Sequence, residues 1–212
     1  MNDLIKDCLK LVLITLIAGL ALGTIYGITK EPIEKQQLKA QQEAYKAVFP
    51  DADAFHDQEG FSSDKAAEVF EAYADQNTVE DHAGDTLNNV VEAEASGKTI
   101  GYIFDITTHK GYGGDIELTV GIAEDGTVTG YSVLSIGETA GLGMNAKNPE
   151  WASQYEDKKV ESFSVVKDGT GSSDDAKIDA ISGATITSKA VTGSINNCLA
   201  YFNTLKGGTG DE

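Results

Sequence analysis

The sequence contains no arginine. All 16 of its basic residues are lysine, set against 34 aspartates and glutamates for a formal net charge of -18. So acidic a surface repels phosphate backbones, which excludes nucleic acid as a partner, and without guanidinium groups the usual two-pronged grip on phosphate or carboxylate is missing. Any phosphate bound by this chain is held in another way. Cysteine is scarce as well, with two residues. Cys8 and Cys198 lie on opposite sides of the most hydrophobic segment, so neither a disulfide nor a Cys-x-x-Cys metal site is expected, and Cys198 reads as a buried thiol. The three histidines, His56, His82 and His109, are scattered over acidic or turn-like stretches and are expected at the surface rather than around a metal. Only three prolines, with 41% hydrophobic and 24% charged residues, exclude a disordered or collagen-like chain. The 212 residues allow one modest domain with appendages.

What the chain does have is one long apolar run. From Leu11 to Thr29, 19 residues carry no charge, which as a helix span about 28 Å, close to the hydrocarbon thickness of a bilayer. Lys6 and Lys10 precede the run, Lys30 follows it, and Tyr26 sits near the downstream end, where an amphipathic ring prefers the interface. A cleaved signal peptide is the alternative, with Gly19-Leu20-Ala21 as a weak cleavage site. The apolar run continues past that point to Lys30, which favours a retained anchor. Residues 1–39 carry a net charge of +1 and residues 40–212 a net -19, so the acidity belongs to the downstream part. The lysines flanking the span are nearly balanced. The expected arrangement is a single-pass protein of the cell membrane, with a short N-terminus inside and the acidic domain on the extracellular or periplasmic side. The expected divisions are a cytoplasmic stub and transmembrane anchor over 1–29, a helical membrane-proximal region over 30–85, and a folded domain over 86–212.

Pro32 suits a first helical turn. Ala40, Ala44, Ala47 and Val48 then recur at helical spacing, predicting a helix that ends at Phe49-Pro50. A second helix is predicted over Ser63 to Asp75, with Ser63 as N-cap. From Asn89 the period changes to two. VVEAEA and TIGYIFDITT join at Ser96-Gly97-Lys98, and DIELTVGIA and TVTGYSVLSI join at Glu124-Asp125-Gly126, which reads as two hairpins in an antiparallel sheet with one covered face. A final helix is expected from near Thr187 or Ser188 to Gly207, with Val191, Ile195, Cys198, Leu199 and Phe202 forming one apolar stripe. The segment DGTGSSDD, residues 168–175, lacks EF-hand spacing and reads as a solvated turn. The fold class is therefore α+β: an N-terminal transmembrane helix followed by an antiparallel-sheet domain with packed helices.

No acid–base or nucleophilic constellation is visible. The informative segment is Asp179-Ala180-Ile181-Ser182-Gly183-Ala184-Thr185-Ile186-Thr187-Ser188, in which a strand-like stretch runs into small and hydroxyl residues and then into the last helix. Unpaired backbone N–H groups and the positive end of the helix dipole meet at such a point, a seat for phosphate. The alternative is that Ser182, Thr185, Thr187 and Ser188 only cap the helix.

The segment D-A-I-S-G-A-T resembles the flavinylation motif of the FMN-binding domains in the G subunit of the Rnf complex and the C subunit of the sodium-pumping NADH:quinone oxidoreductase. The resemblance implies that a flavin transferase splits FAD and joins FMN through its phosphate to Thr185, with Ser182, Gly183, Ala184 and Thr187 around it. Glu138-Thr139-Ala140-Gly141-Leu142-Gly143 is similar to the family's E-T-P-G-L-G loop, departing at Ala140 where proline is usual. That similarity implies flavin contacts from Glu138, Thr139, Gly141, Leu142 and Gly143. Gly111-Tyr112-Gly113-Gly114 resembles a further family loop. With the N-terminal span, the resemblance favours the Rnf G subunit: an electron carrier in a ferredoxin:NAD oxidoreductase coupled to Na+ or H+ movement, among other membrane subunits, without substrate turnover of its own. The alternatives are the quinone-reductase C subunit, which is usually longer, and a non-redox extracellular binding domain.

Overall fold

Five strands form an antiparallel meander in the order β1 (Ala54–Asp57), β2 (Thr86–Ala95), β3 (Lys98–Thr108), β4 (Ile116–Ala123) and β5 (Val128–Ile136). They belong to a computed structural model that describes residues 2–76 and 84–207. Both predicted hairpins are present. Ala95 pairs with Lys98 across a two-residue turn in which Ser96 and Gly97 have φ of 54° and 72°, the left-handed pair that matches the twist of the strands. Strand β1 is absent from the sequence expectations, because four residues with only two apolar side chains give no readable period.

Helices cover one face of the sheet. α2 (Ser63–Gln76) and α4 (Thr185–Gly207) pack on β2, β3 and β4, burying Phe70, Phe104, Leu118, Val120, Val191 and Ile195 completely. Each such side chain contributes about 1.5–3 kcal/mol through removal from water. The expected stripe on α4 is buried throughout, including Cys198, whose thiol is pushed far up by burial. Ser63 does not cap α2: its hydroxyl donates to Leu87 O at 3.0 Å, and Ala66 N–H bonds Ser62 O instead.

The other face is not open, as the alternating pattern had implied. Tyr45, Val48, Phe49 and Ala52 pack on Val91, Ala93 and Ile103. A Cβ at Gly101 would meet Phe49 Cζ at 2.4 Å and one at Gly121 would meet Val48 Cβ at 2.8 Å, so the two glycines make the room this layer needs. Tyr45 OH donates to Asp105 Oδ2 at 2.5 Å and Thr119 Oγ1 to Oδ1 at 2.6 Å, which satisfies a carboxylate buried in mid-sheet.

Residues 2–48 form one helix, α1 (Asn2–Val48), rather than two elements meeting at Pro32. A proline inside a helix removes one backbone donor and crowds the carbonyl four residues earlier, at a cost of about 3 kcal/mol, yet α1 runs through Pro32 without a break. Two compact units are distinguished, residues 1–42 and 43–212. Ile5–Val48 is long and apolar enough to cross a membrane, with a mean hydropathy of 2.3 over its most apolar window and none of that window buried. A second, parallel sheet of β6 (Ser164–Val166) and β7 (Lys177–Asp179) leads into α4.

Candidate cofactor site

Strand β7 delivers the chain to a tight turn. Ala180 N–H bonds Val166 O at 2.8 Å, and Ala184 N–H then closes the turn onto Ile181 O at 2.9 Å. Gly183 has φ of 74°, a conformation that a side chain resists. Helix α4 begins at Thr185, two or three residues before the expected start near Thr187 or Ser188. The difference lies with Ser188, which looks like a cap in the sequence but turns inward. Its hydroxyl accepts Ile181 N–H at 2.9 Å and donates to Ala184 O at 3.0 Å. Ser188 N–H makes the first intrahelical bond, to Ala184 O.

The residue in the N-cap position is therefore Ala184, which has no side-chain acceptor. Among the described residues, no side chain caps the N–H groups of Thr185, Ile186 and Thr187, so the positive end of a 23-residue helix is left for another acceptor. The four hydroxyls differ sharply in access. Thr187 is 1% exposed and Ser188 fully buried, Thr185 is half-buried and Ser182 is exposed.

Three loops meet at this helix start. Glu138 is buried, and its Oε1 accepts the backbone N–H of Tyr112 at 2.7 Å and of Gly113 at 3.2 Å, which ties the 111–114 loop to the 138–143 loop. The latter is internally braced: Leu142 and Met144 N–H both bond Thr139 O, and Asn145 Nδ2 donates to Gly141 O at 3.0 Å. Ala140 thus occupies a fixed loop without the usual proline. A Cβ on Gly143 would lie 2.6 Å from both Glu138 Oε2 and Thr187 Oγ1, so the start of α4 packs directly against the 138–143 loop.

A cavity of about 490 Å³ opens between them, within the roughly 300–1,000 Å³ typical of small-molecule sites. Of the residues expected at a cofactor, Glu138, Thr139, Leu142 and Gly143 line it from one side, and Gly183, Ala184, Thr185 and Thr187 from the other. Gly141 and Ser182 do not line it. Gly141 is exposed beside it, and Ser182 faces a separate cavity of about 690 Å³ behind the turn. Tyr112 and Ile186 complete the lining and were not among the expected contacts. A signal existed for Ile186, since it falls outside the apolar stripe of α4. Among the described residues beyond α1, the exposed large hydrophobic side chains are Tyr112, Leu142 and Ile186, all at this cavity.

The histidines stand apart from this cavity. His109 Nδ1 lies 2.9 Å from Asp115 Oδ1, and His56 Nε2 lies 3.6 Å from Glu94, both with exposed side chains. His82 is outside the described residues. The 168–175 segment is not wholly solvated, because Gly171 N–H bonds the Asp179 carboxylate at 3.1 Å.

Residues 111–200 match the FMN-binding domain family, a span that holds all three loops. Over 98% of this chain and 96% of the relative, the sequence is 32% identical to the G subunit of the proton-translocating ferredoxin:NAD(+) oxidoreductase complex of Clostridium ljungdahlii. The chain belongs to the Rnf G-subunit family. A second such relative, the G subunit of the Na(+)-translocating ferredoxin:NAD(+) oxidoreductase complex of Acetobacterium woodii, is 29% identical over 93% of this chain and 90% of its own length. The G subunit of the ion-translocating oxidoreductase complex of Methanosarcina acetivorans is 29% identical over 97% and 98%. Among solved structures, Shewanella oneidensis NqrC overlaps 57% of this chain and 62% of its own at 27% identity and a TM-score of 0.46.

Proposed function

We propose that this member of the Rnf G-subunit family is a membrane-anchored electron carrier holding FMN through a phosphoester on Thr185, within a complex that moves electrons between ferredoxin and NAD and couples them to ion transport. The observation that carries the reading is the hydroxyl of Thr185: half-buried, first residue of a helix whose start no side chain caps among the described residues, and lining a cavity walled by the two other motif loops. Competing hydroxyls are disfavoured by position. Thr187 and Ser188 are buried, and Ser182 faces the other cavity.

Attachment balances without redox change. The Thr185 oxygen bonds to the flavin-side phosphorus of FAD, the pyrophosphate P–O bond breaks, AMP leaves, and the hydroxyl proton passes to a base of the flavin transferase. Esterification leaves the phosphate with about one negative charge rather than two, and the free N–H groups of Thr185, Ile186 and Thr187 can receive it. A covalent bond thereby does the work for which this chain has no arginine. Bound FMN supplies one- and two-electron chemistry. The protein's part is to hold it: Glu138 fixes the 111–114 loop, while Leu142, Ile186 and Tyr112 offer apolar surface to the ring and exclude water.

The apolar stretch of α1 anchors the chain in the bilayer, with residues 43–212 on the extracellular or periplasmic side and other subunits of the complex as neighbours. Relatives are named for proton and for Na+ translocation, so the coupling ion is a property of the whole complex. Co-expression with a flavin transferase, followed by denaturing electrophoresis, should give a fluorescent band for wild type and none for Thr185→Ala. The purified flavinylated protein should show reversible flavin reduction with negligible NADH turnover. Fluorescence equal to wild type in Thr185→Ala, or steady NADH oxidation, would overturn the reading.

A further inference from the structure

We propose that Trp151 and Gln154 are positioning residues for flavin attachment: together they clamp the backbone of Asp179 and so present the 179–185 segment to the transferase in one preformed shape. This rests on the reading of Thr185 as the attachment site. Trp151 Nε1–H donates to Asp179 O at 2.7 Å, and Gln154 Oε1 accepts Asp179 N–H at 2.7 Å, so both backbone polar groups of one residue are taken by side chains from a distant segment. The carboxylate of Asp179 is also engaged, through Gly171 N–H. Asp179 is thus gripped at its amide, its carbonyl and its side chain.

The clamp reaches the far end of the segment as well. Trp151 is 9% exposed and meets Tyr155 edge to face with centroids 5.5 Å apart. The Tyr155 hydroxyl lies 2.6 Å from Thr192 Oγ1, two turns into the helix that Thr185 begins. One aromatic pair therefore ties the strand before the attachment turn to the helix after it. Between those ties Val166 O holds Ala180 N–H, the Ser188 hydroxyl holds Ile181 N–H, and Ile181 O holds Ala184 N–H. An enzyme that must align a threonine oxygen with phosphorus gains from a segment already ordered, because ordering it on binding costs backbone entropy. Loosening the clamp should weaken the encounter and leave the chemical step alone.

The test uses full-length apo-protein in detergent as substrate for a flavin transferase with FAD, read as FMN incorporated per minute. Trp151→Phe keeps ring packing and removes the donor, and Gln154→Ala removes the acceptor. Each should raise the KM for the apo-protein roughly threefold to tenfold, as expected for one lost hydrogen bond, with kcat within about twofold of wild type. Hydrogen exchange at the Asp179 amide should accelerate in Gln154→Ala. Tyr45→Phe, which disturbs the opposite face of the sheet, serves as a control for general destabilisation and should leave KM unchanged. An unaltered KM in both clamp variants, with Asp179 exchange accelerated, would overturn the proposal, as would an equal KM rise in Tyr45→Phe. Failure of wild type itself to gain FMN at Thr185 would overturn the attachment reading and this proposal with it, and is told apart because it does not depend on the clamp.

Discussion

Glu138 accepts the backbone N–H of Tyr112 at 2.7 Å, joining two loops that are 26 residues apart in the chain and that both wall the candidate cofactor cavity. A buried carboxylate spent on two backbone donors is a structural brace first. Glu138→Ala leaves both N–H groups without their acceptor and should cost about 1–3 kcal/mol of stability. Glu138→Gln keeps an acceptor and should cost less. Urea unfolding of the two variants checks the order, and equal losses would show that the carboxylate acts by charge alone.

Gly143 has no room for a side chain, since a Cβ would fall 2.6 Å from Glu138 Oε2 and from Thr187 Oγ1. Gly143→Ala should cost about 1–3 kcal/mol by overpacking and reduce flavin incorporation. Gly141 has open space around it but a φ of 76°, so Gly141→Ala carries only conformational strain, of order 1 kcal/mol, and should incorporate more FMN than Gly143→Ala. The reverse ranking would contradict the packing described here.

Burial lifts the carboxyl of Asp85 from 3.8 to about 7, against hydrogen bonds from Ser194, Thr108 and Asn197 that pull it down. Between these values the folded protein holds a proton that the unfolded chain releases, so this group's contribution falls as pH rises through that window, by up to about 1.4 kcal/mol per pH unit. Asp85→Asn removes the dependence. Its stability relative to wild type should increase from pH 5 to pH 7.5, and parallel pH profiles for the two proteins would refute the assignment.

Much of this architecture was legible from local rules. The hairpins announce themselves through period-two alternation and Gly at the turns, and the α4 stripe through its 3.6-residue spacing. What escaped depends on contacts distant in sequence. Ser188 reads as a cap until its partners Ile181 and Ala184 are seen, so the start of α4 was expected too late. The covering of the second sheet face by Phe49 depends on Gly101 and Gly121, which look like ordinary strand irregularities. Trp151 and Gln154 carry no pattern that points to Asp179. For the site, the loops were readable by resemblance, whereas the part of Glu138 as a backbone brace and the place of Ile186 in the lining needed the fold.

Topology has its own test. Ser172 is exposed, whereas the native Cys198 is buried. In intact cells a membrane-impermeant maleimide should label Ser172→Cys, and Cys8 should react only after the membrane is opened. Labelling of Cys8 but not of Ser172→Cys in intact cells would invert the orientation.

The central claim is that Thr185, alone among the clustered hydroxyls, carries the cofactor. Peptide mass spectrometry of the full chain co-expressed with a flavin transferase addresses it directly. One FMN phosphoester is predicted on the peptide containing Ser182 to Ser188, with fragment ions placing it on Thr185, and an unmodified peptide is predicted from Thr185→Ala. Fragment ions placing the flavin on Ser182, Thr187 or Ser188, or a wild-type peptide without FMN, would contradict it.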